Sequence, residues 1–264
     1  MNRLDTASNA DRLDAAQIRV PGVDVRVVAS CDSTNTVLIR EKHLDCPVLL
    51  AAEEQTAGRG RRGRRWHGAA GRDLAFSLAR RIVRPARELA VLSLVAGVAA
   101  AKALRAFGVS QAALKWPNDL LVDGAKLGGI LVETRSQGGA SLAVIGIGIN
   151  FQPKPELQRR LRRSIASMTD LVSPVPSRNE IVQEIALALL EALDAFEARG
   201  FEAAREDWLA LHAHAGQRLR VRLADGRMLT GVAAGLADDG CLRLQTRRGL
   251  RAVRSGRVVS ARAA

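Results

Sequence analysis

Three short segments carry the residue types that bind or activate anions. GRGRRGRRW, residues 58–66, sets Arg59, Arg61, Arg62, Arg64 and Arg65 among three glycines. Glycine lets a backbone turn sharply or approach a ligand closely, and guanidinium groups present forked donors that match phosphate and carboxylate. The spacing and the terminal Lys-Ser/Thr of a Walker loop are absent. A solvated basic loop or a nucleic-acid contact is the plainer alternative. In KWPNDLLVDGAKLGG, residues 115–129, Pro117 restricts the backbone and Asn118 and Asp119 place an amide and a carboxylate where a strand meets a turn. Asp119 can accept a hydrogen bond or help hold a divalent ion. Lys126 adds a mobile point charge followed by two glycines, and Lys115 reads equally well as a ligand contact or a flanking surface charge.

The third segment, Ser33-Thr34-Asn35, can hydrogen-bond a ureido group or a carboxylate, or simply cap a helix. Gln55 stands just ahead of the arginine loop. Trp66 offers an aromatic wall for a base, or ordinary core packing. Asn150, at a strand end, can read an adenine edge or satisfy backbone groups. Other chemistries find little support. There is no GxSxG elbow, CxxC pair or adjacent Ser-His-Asp set, which disfavours a covalent serine or cysteine mechanism. The His212-x-His214 pair on an apparent linker is weak grounds for a metal.

The elements that must position these residues follow from periodicity. VDVRVVA (23–29) and PVLLAAE read as strands, LAFSLAR restarts one after the loop, and Glu88–Phe107 reads as a core helix. ALKWPNDLLV and AKLGGILVE form a hairpin about Asp123-Gly124, and SLAVIGIGIN is a strand buried on both faces. PKPELQRRLRRS is expected to wrap the surface. Asn179–Arg199 is a long amphipathic helix with Ile181, Ile185, Leu189 and Leu193 on one stripe, and a shorter helix carries Trp208. From Gly216 the texture changes to LRVRLA, MLTGVAAGL, CLRLQT and LRAVRSGRVV, the spacing of a small antiparallel barrel. These readings divide the chain into an N-terminal tail (1–19), a catalytic domain (20–213) and a C-terminal domain (214–264).

The 264-residue chain has room for such a pair of units. Three scattered cysteines fit a reducing compartment and no disulfide framework, so a cytoplasmic location is expected. The most apolar stretch, Leu89–Ala101, is too short to span a bilayer, and neither a membrane nor a signal peptide is expected. Net charge is +13, carried by thirty-five arginines and only five lysines, and residues 216–264 hold eleven arginines against three aspartates. Such a field attracts nucleic acid, nucleotides or an acidic protein without choosing among them.

Taken together, STN at 33–35, EEQTAGRGRRGRRW at 53–66, KWPNDLLVDGAKLGGILVE at 115–133 and GIGIN at 146–150 resemble a biotin protein ligase, of the type lacking the DNA-binding N-terminal domain of the bifunctional biotin repressor. The resemblance spans roughly Val23 to Val259. It implies an α/β catalytic domain with a mixed sheet, related to class II aminoacyl-tRNA synthetases, followed by an SH3-like barrel. It implies two reactions: biotin and ATP give biotinyl-5'-AMP and pyrophosphate, then a carrier lysine takes the biotin. Mg²⁺ is implied with ATP, and the biotin carrier domain of acetyl-CoA carboxylase is the implied partner. No specific DNA binding is expected, and exposed sheet edges of this fold type can pair with a second copy.

Matched by position, Ser33, Thr34, Asn35, Gln55, Gly58, Arg59, Lys126 and Gly128 would contact biotin. Arg61, Arg62, Trp66, Asn118 and Asn150 would contact ATP or the adenylate, with Arg59 and Arg61 in a loop that orders over both. Lys126 would bridge the reacting carboxylate and phosphate, and Asp119 would support the metal. Two positions depart from the family pattern. His67 stands where an apolar or aromatic residue is more familiar, and Arg257 where an acidic one is common. A lipoate or related acyl-adenylating ligase, and a basic nucleic-acid-binding module, are the alternative readings.

Overall fold

The structure, a computed structural model, describes residues 11–44 and 46–263. Seven strands form the larger sheet: β1 (Asp24–Cys31), β2 (Val48–Gln55), β3 (Asp73–Ile82), β4 (Ala112–Lys115), β5 (Asp119–Val122), β6 (Ala125–Gln137) and β7 (Ala140–Asn150). Their order is β1-β2-β3-β7-β6-β5-β4, with β1 and β2 parallel and every other pair antiparallel. The expected turn is present, since Asp123 and Gly124 both adopt positive φ, but ALKWPNDLLV, expected as one arm, is two antiparallel strands, β4 and β5, of which only β5 forms the hairpin with β6. The run of Ala, Val, Ile and Gly in β7 suits the middle of a sheet covered on both sides, and β7 is buried along nearly its whole length.

Strand alternation divides the core between the two faces. Leu49, Ala51, Phe76 and Ile145 face α2 (Leu92–Ala106) and α5 (Arg178–Arg199), whereas Val48, Leu50 and Val144 face Leu38 of the short helix α1 (Thr34–Arg40). The expected helix from Glu88 begins as a 3-10 turn, Ala86–Val91, before α2 takes over. Ala86–Ala106 is long and apolar enough to cross a membrane, but 72% of that window is buried inside the fold. Helix α5 starts with a capping box in which Ser177 Oγ accepts from the Glu180 N–H and the Glu180 carboxylate accepts from the Ser177 N–H.

Residues 1–10 of the expected tail lie outside the described residues. Residues 11–19 are no tail, because Leu13 and Ile18 are buried in the main core. Polar contacts complete the attachment: buried Arg178 donates to Glu53 at 2.8 Å and to the Asp11 carbonyl at 2.6 Å. Glu53 in turn accepts from the Leu13 N–H.

Two further helices, α3 (Pro155–Leu161) and α4 (Met168–Leu171), follow β7, and α6 (Glu202–Ala210) carries buried Trp208. The chain then passes His212, which stacks on Trp208 at 4.6 Å, and pairs alongside β4 through Leu114. The second sheet comprises β8 (Arg218–Leu223), β9 (Met228–Leu236), β10 (Leu242–Thr246), β11 (Gly249–Val253) and β12 (Gly256–Arg262), all antiparallel, in the order β11-β10-β9-β8-β12. LRAVRSGRVV, expected as one segment, is therefore two strands joined at Arg254-Ser255. Leu219, Val221 and Leu244 continue the core of the larger unit, and Trp116 Nε1 donates to the Gly240 carbonyl across the junction.

Burial depresses the His212 pKa to about 4, with His214 adding to the effect, and holds His214 itself at about 4. Among the described residues, His212 Nε2 and His214 Nδ1 are buried without a hydrogen-bond partner, and no group of three metal-ligating side chains occurs. Unfolding restores an ordinary histidine pKa, so the unfolded chain takes up protons first as pH falls below about 6.5. Stability is therefore whole above that pH and declines toward pH 4. Between pH 7 and pH 5 the loss from His212 alone comes to about 2 kcal/mol. Urea titrations should show this slope in the wild type and a flatter one in His212→Gln.

Candidate active site

A cavity of about 420 Å³ opens beside the centre of the larger sheet. One part of its wall is neutral and polar. Ser33 stands at the N-cap of α1 without making a side-chain cap bond, and it lines the cavity. Thr34 donates its backbone N–H to Gln55 Oε1 at 2.8 Å, and its hydroxyl lies 2.7 Å from Ser77 Oγ. Ser77 Oγ donates to Asn35 Oδ1, and Asn35 Nδ2 reaches the Leu131 carbonyl and Glu133. Ser33, Thr34, Asn35 and Ser77 are all at most 3% exposed. Leu131 supplies apolar wall beside them.

The other part is cationic. Arg61, Arg64, Arg163, Arg257, Lys115 and Lys126 line the cavity, and Asp119 is the one carboxylate among its lining residues. Lys126 Nζ is ion-paired with Asp119. Burial lowers the pKa of Lys115, Asp119 opposes this, and Arg257, Lys126 and Arg163 push it further down. Arg61 is likewise lowered, first by burial and then by Arg62. The Arg61 side chain makes no ion pair or hydrogen bond among the described residues. The cations therefore repel one another in a partly desolvated space, a condition that an anionic ligand relieves.

The arginine loop is ordered by its own backbone. Gly60 N–H donates to the Arg64 carbonyl at 2.7 Å and Trp66 N–H to Gly58 at 2.9 Å, closing a narrow excursion. Arg59, which also lines the cavity, pairs with Glu133 at 2.7 Å and anchors the loop base on β6. At the tip, Arg62 takes a left-handed conformation (φ 56°) and donates to Ser255 Oγ at 2.8 Å, so the tip touches the second sheet. Trp66 lies flat on β7. A Cβ at Gly148 would stand 2.5 Å from its ring, which is why only glycine fits there. Lys126 and Lys154 Nζ sit 5.9 and 5.7 Å from the ring centre. Lys154 also pairs with buried Asp73 at 2.7 Å and donates to Asn150 Oδ1.

Asn118 and Asn150 line the cavity as expected, whereas two glycines do not. Gly58 and Gly128 are not among the cavity-lining residues. A Cβ on Gly128 would stand 2.7 Å from the Gly148 carbonyl, so this glycine permits β6 and β7 to pair closely, and Gly129 forms the wall instead. Asn118 lines the cavity, but its amide donates to the Ile130 carbonyl at 2.7 Å and braces β6. Asn150 Nδ2 is committed to the Lys126 carbonyl at 2.9 Å. The segment expected to wrap the surface does so, with no buried residue in α3, and it also walls the site: Leu157 and Leu161 line the cavity, and Ile165 bridges Lys126. Sequence reasoning also missed Ser77, Arg163 and the contribution of Gly256, Arg257 and Val258 from the second sheet. Leu157 and Leu161, four residues apart, were the available signal for α3.

Residues 27–150 match the biotin/lipoate A/B protein ligase family, and residues 214–259 match the biotin protein ligase C-terminal domain. The chain is 35% identical to the biotin--[acetyl-CoA-carboxylase] ligase of Mycobacterium tuberculosis, over 90% of its own length and 89% of the relative's. This chain belongs to the biotin protein ligase family. It is also 33% identical to the bifunctional ligase/repressor BirA of Escherichia coli, over 88% of this chain and 73% of that one. The biotin protein ligase of Aquifex aeolicus, solved with biotin and ATP, superposes with a TM-score of 0.76 at 26% identity, covering 91% of this chain and 99% of that one. The mixed sheet followed by a small antiparallel sheet is thus the biotin protein ligase fold.

Proposed function

We propose that this ligase joins biotin to AMP at the expense of ATP and then transfers biotin to a lysine of the biotin carrier domain of acetyl-CoA carboxylase. The observation that carries this reading is the pairing, in one cavity, of a buried neutral hydrogen-bonding cluster with a cationic cluster that holds a single carboxylate. A ureido ring has one acceptor and two donors, which Ser33, Thr34, Asn35 and Gln55 can answer. The dithiolane of lipoate has none, and would leave unanswered the Ser33 hydroxyl, which makes no cap bond to its helix, a cost of about 1–3 kcal/mol. Biotin is favoured over lipoate on that ground.

In the first step a biotin carboxylate oxygen attacks the α-phosphorus, and the bond to the bridging oxygen breaks as pyrophosphate leaves with the electron pair. Two unit charges 4 Å apart at an effective dielectric of 20 repel by about 4 kcal/mol. Lys126 and Arg61 offset that repulsion and stabilise charge as it moves onto the phosphoryl oxygens. Arg64, Arg163 and Lys115 hold the phosphates, and Trp66 stacks on adenine. In the second step a neutral lysine amine attacks the carbonyl carbon of the mixed anhydride, AMP departs, and the amine gives up its proton. Lys126 stabilises the carbonyl oxygen as it gains charge.

Magnesium enters with ATP as part of the substrate. Asp119, already engaged by Lys126, makes no dedicated metal site by itself and is at most one contact to an ion the nucleotide carries. The two units divide the work: residues 20–213 bind and react, and residues 214–264 close one side of the cavity. Three free cysteines, Cys31, Cys46 and Cys241, suit a cytoplasmic setting. The free edge of the larger sheet, β1, is where a second copy would pair.

The deciding experiment incubates purified protein with biotin, Mg-ATP and a biotin-accepting domain and locates the added mass by spectrometry. Biotin on one carrier lysine is the expected result. Turnover of lipoate in place of biotin, or no modification at all, would overturn the reading.

A further inference from the structure

We propose that the outward face of β8 and β12 docks an acidic face of the acceptor protein, next to its target lysine. The proposal rests on the ligase reading above. Strand register sets Arg222 opposite Arg257, Arg220 opposite Ser260 and Arg218 opposite Arg262. Leu219, Val221 and Val258 point into the core, so the two-residue period of the strands sends all five arginines outward, and all five are exposed. None of them makes an ion pair among the described residues. The three aspartates of this unit are already engaged elsewhere, Asp225 by Arg227, Asp238 by Arg205 and Asp239 by Arg254. Like charges directly opposed across an antiparallel pair destabilise it. The Arg222/Arg257 and Arg218/Arg262 pairs therefore work against the fold, and an anionic partner relieves them.

Position selects the kind of partner. Arg257 heads the ladder and also lines the catalytic cavity. The remaining rows step away at about 7 Å each, giving a cationic strip about 14 Å long that begins at the mouth. A protein seated on that strip presents its neighbouring residues to the mouth, where the acceptor lysine must arrive. A nucleic acid is poorly served by the same surface. Residues 214–264 contain no Phe, Trp or Tyr on which bases could stack, and the unit has no helix to enter a major groove. A phosphate chain on the ladder would also run into the site proposed for ATP.

The test uses the full chain with Arg218, Arg220 and Arg262 changed together to Glu, leaving Arg222 and the cavity residue Arg257 intact. The readouts are biotin-dependent pyrophosphate release without acceptor, and steady-state transfer to a purified carrier domain of acetyl-CoA carboxylase. Pyrophosphate release should stay at the wild-type rate, while KM for the carrier rises about tenfold or more, the effect of removing and inverting charges that steer association. Added NaCl should raise the wild-type KM and have little effect on the variant. The corresponding triple Gln variant, which keeps the strands uncharged, should give a smaller rise in the same direction and decides the matter if the Glu variant does not fold. An unchanged carrier KM in the folded Gln variant would overturn the proposal. So would an unchanged carrier KM accompanied by binding of wild-type protein, but not the variant, to a double-stranded DNA oligonucleotide. Failure of wild-type protein to release pyrophosphate with biotin would instead overturn the ligase reading itself, and this proposal with it.

Discussion

Replacing Lys126 with alanine should lower biotin-dependent pyrophosphate release, measured without acceptor, by about 10²–10³-fold, the range found when one preorganised donor to developing charge is removed. The lysine is well placed for such a role because its backbone is held from several directions. Its N–H donates to Ser164, and its carbonyl accepts from Ala166 and from Asn150 Nδ2. The side chain consequently leaves a rigid segment, and its charge needs little reorganisation during reaction. Removing it also leaves Asp119 facing incoming phosphates without its counter-charge. The double variant Lys126→Ala, Asp119→Asn separates these two effects. Partial recovery assigns part of the loss to carboxylate repulsion, and no recovery assigns all of it to the missing ammonium. An unchanged rate of pyrophosphate release in Lys126→Ala would remove this lysine from the adenylation step.

Changing Arg61 to glycine should release biotinyl-AMP into solution and raise the labelling of a bystander protein by about tenfold or more, equivalent to 1.4 kcal/mol or more of lost retention. Arg61 and Arg64 are the loop arginines whose charges line the cavity with no ion pair among the described residues, whereas Arg59 is committed to Glu133 and Arg62 to Ser255. An adenylate phosphate is the missing counter-ion. Loss of the guanidinium removes that contact and adds backbone freedom to a loop whose closure excludes water. Serum albumin added to the assay and probed for biotin gives the measurement. Labelling that stays confined to the carrier would show that retention depends on other groups.

Much of this architecture was legible because it rests on short-range rules. Asp123-Gly124 needs positive φ and produced a hairpin; Ile181, Ile185, Leu189 and Leu193 recur on one stripe and produced the long helix. The polar cluster at 33–35 and the cations at 61 and 126 were found because few other roles need those types in those places. What escaped depends on contacts distant in sequence. Nothing near residue 257 indicates that β12 would reach the cavity, since that depends on how the second sheet docks through Trp116 and Gly240. The place of Gly128 in the fold was not legible because a glycine beside a reactive lysine can serve a ligand or a neighbouring strand equally well, and the Gly148 carbonyl shows that it serves the strand pairing. The first turns before β1 looked featureless because their anchor is a side chain more than 150 residues away.

That anchor sets a limit for anyone who shortens or tags this enzyme. Trimming to Asp24, where the first strand starts, would strip the Asp11 carbonyl from the Arg178 guanidinium and uncover the pocket now filled by Leu13, Ile18 and Val20. The natural point of attachment for a fusion partner therefore lies ahead of Asp11, on the far side of a staple that ties the chain's beginning to its longest helix.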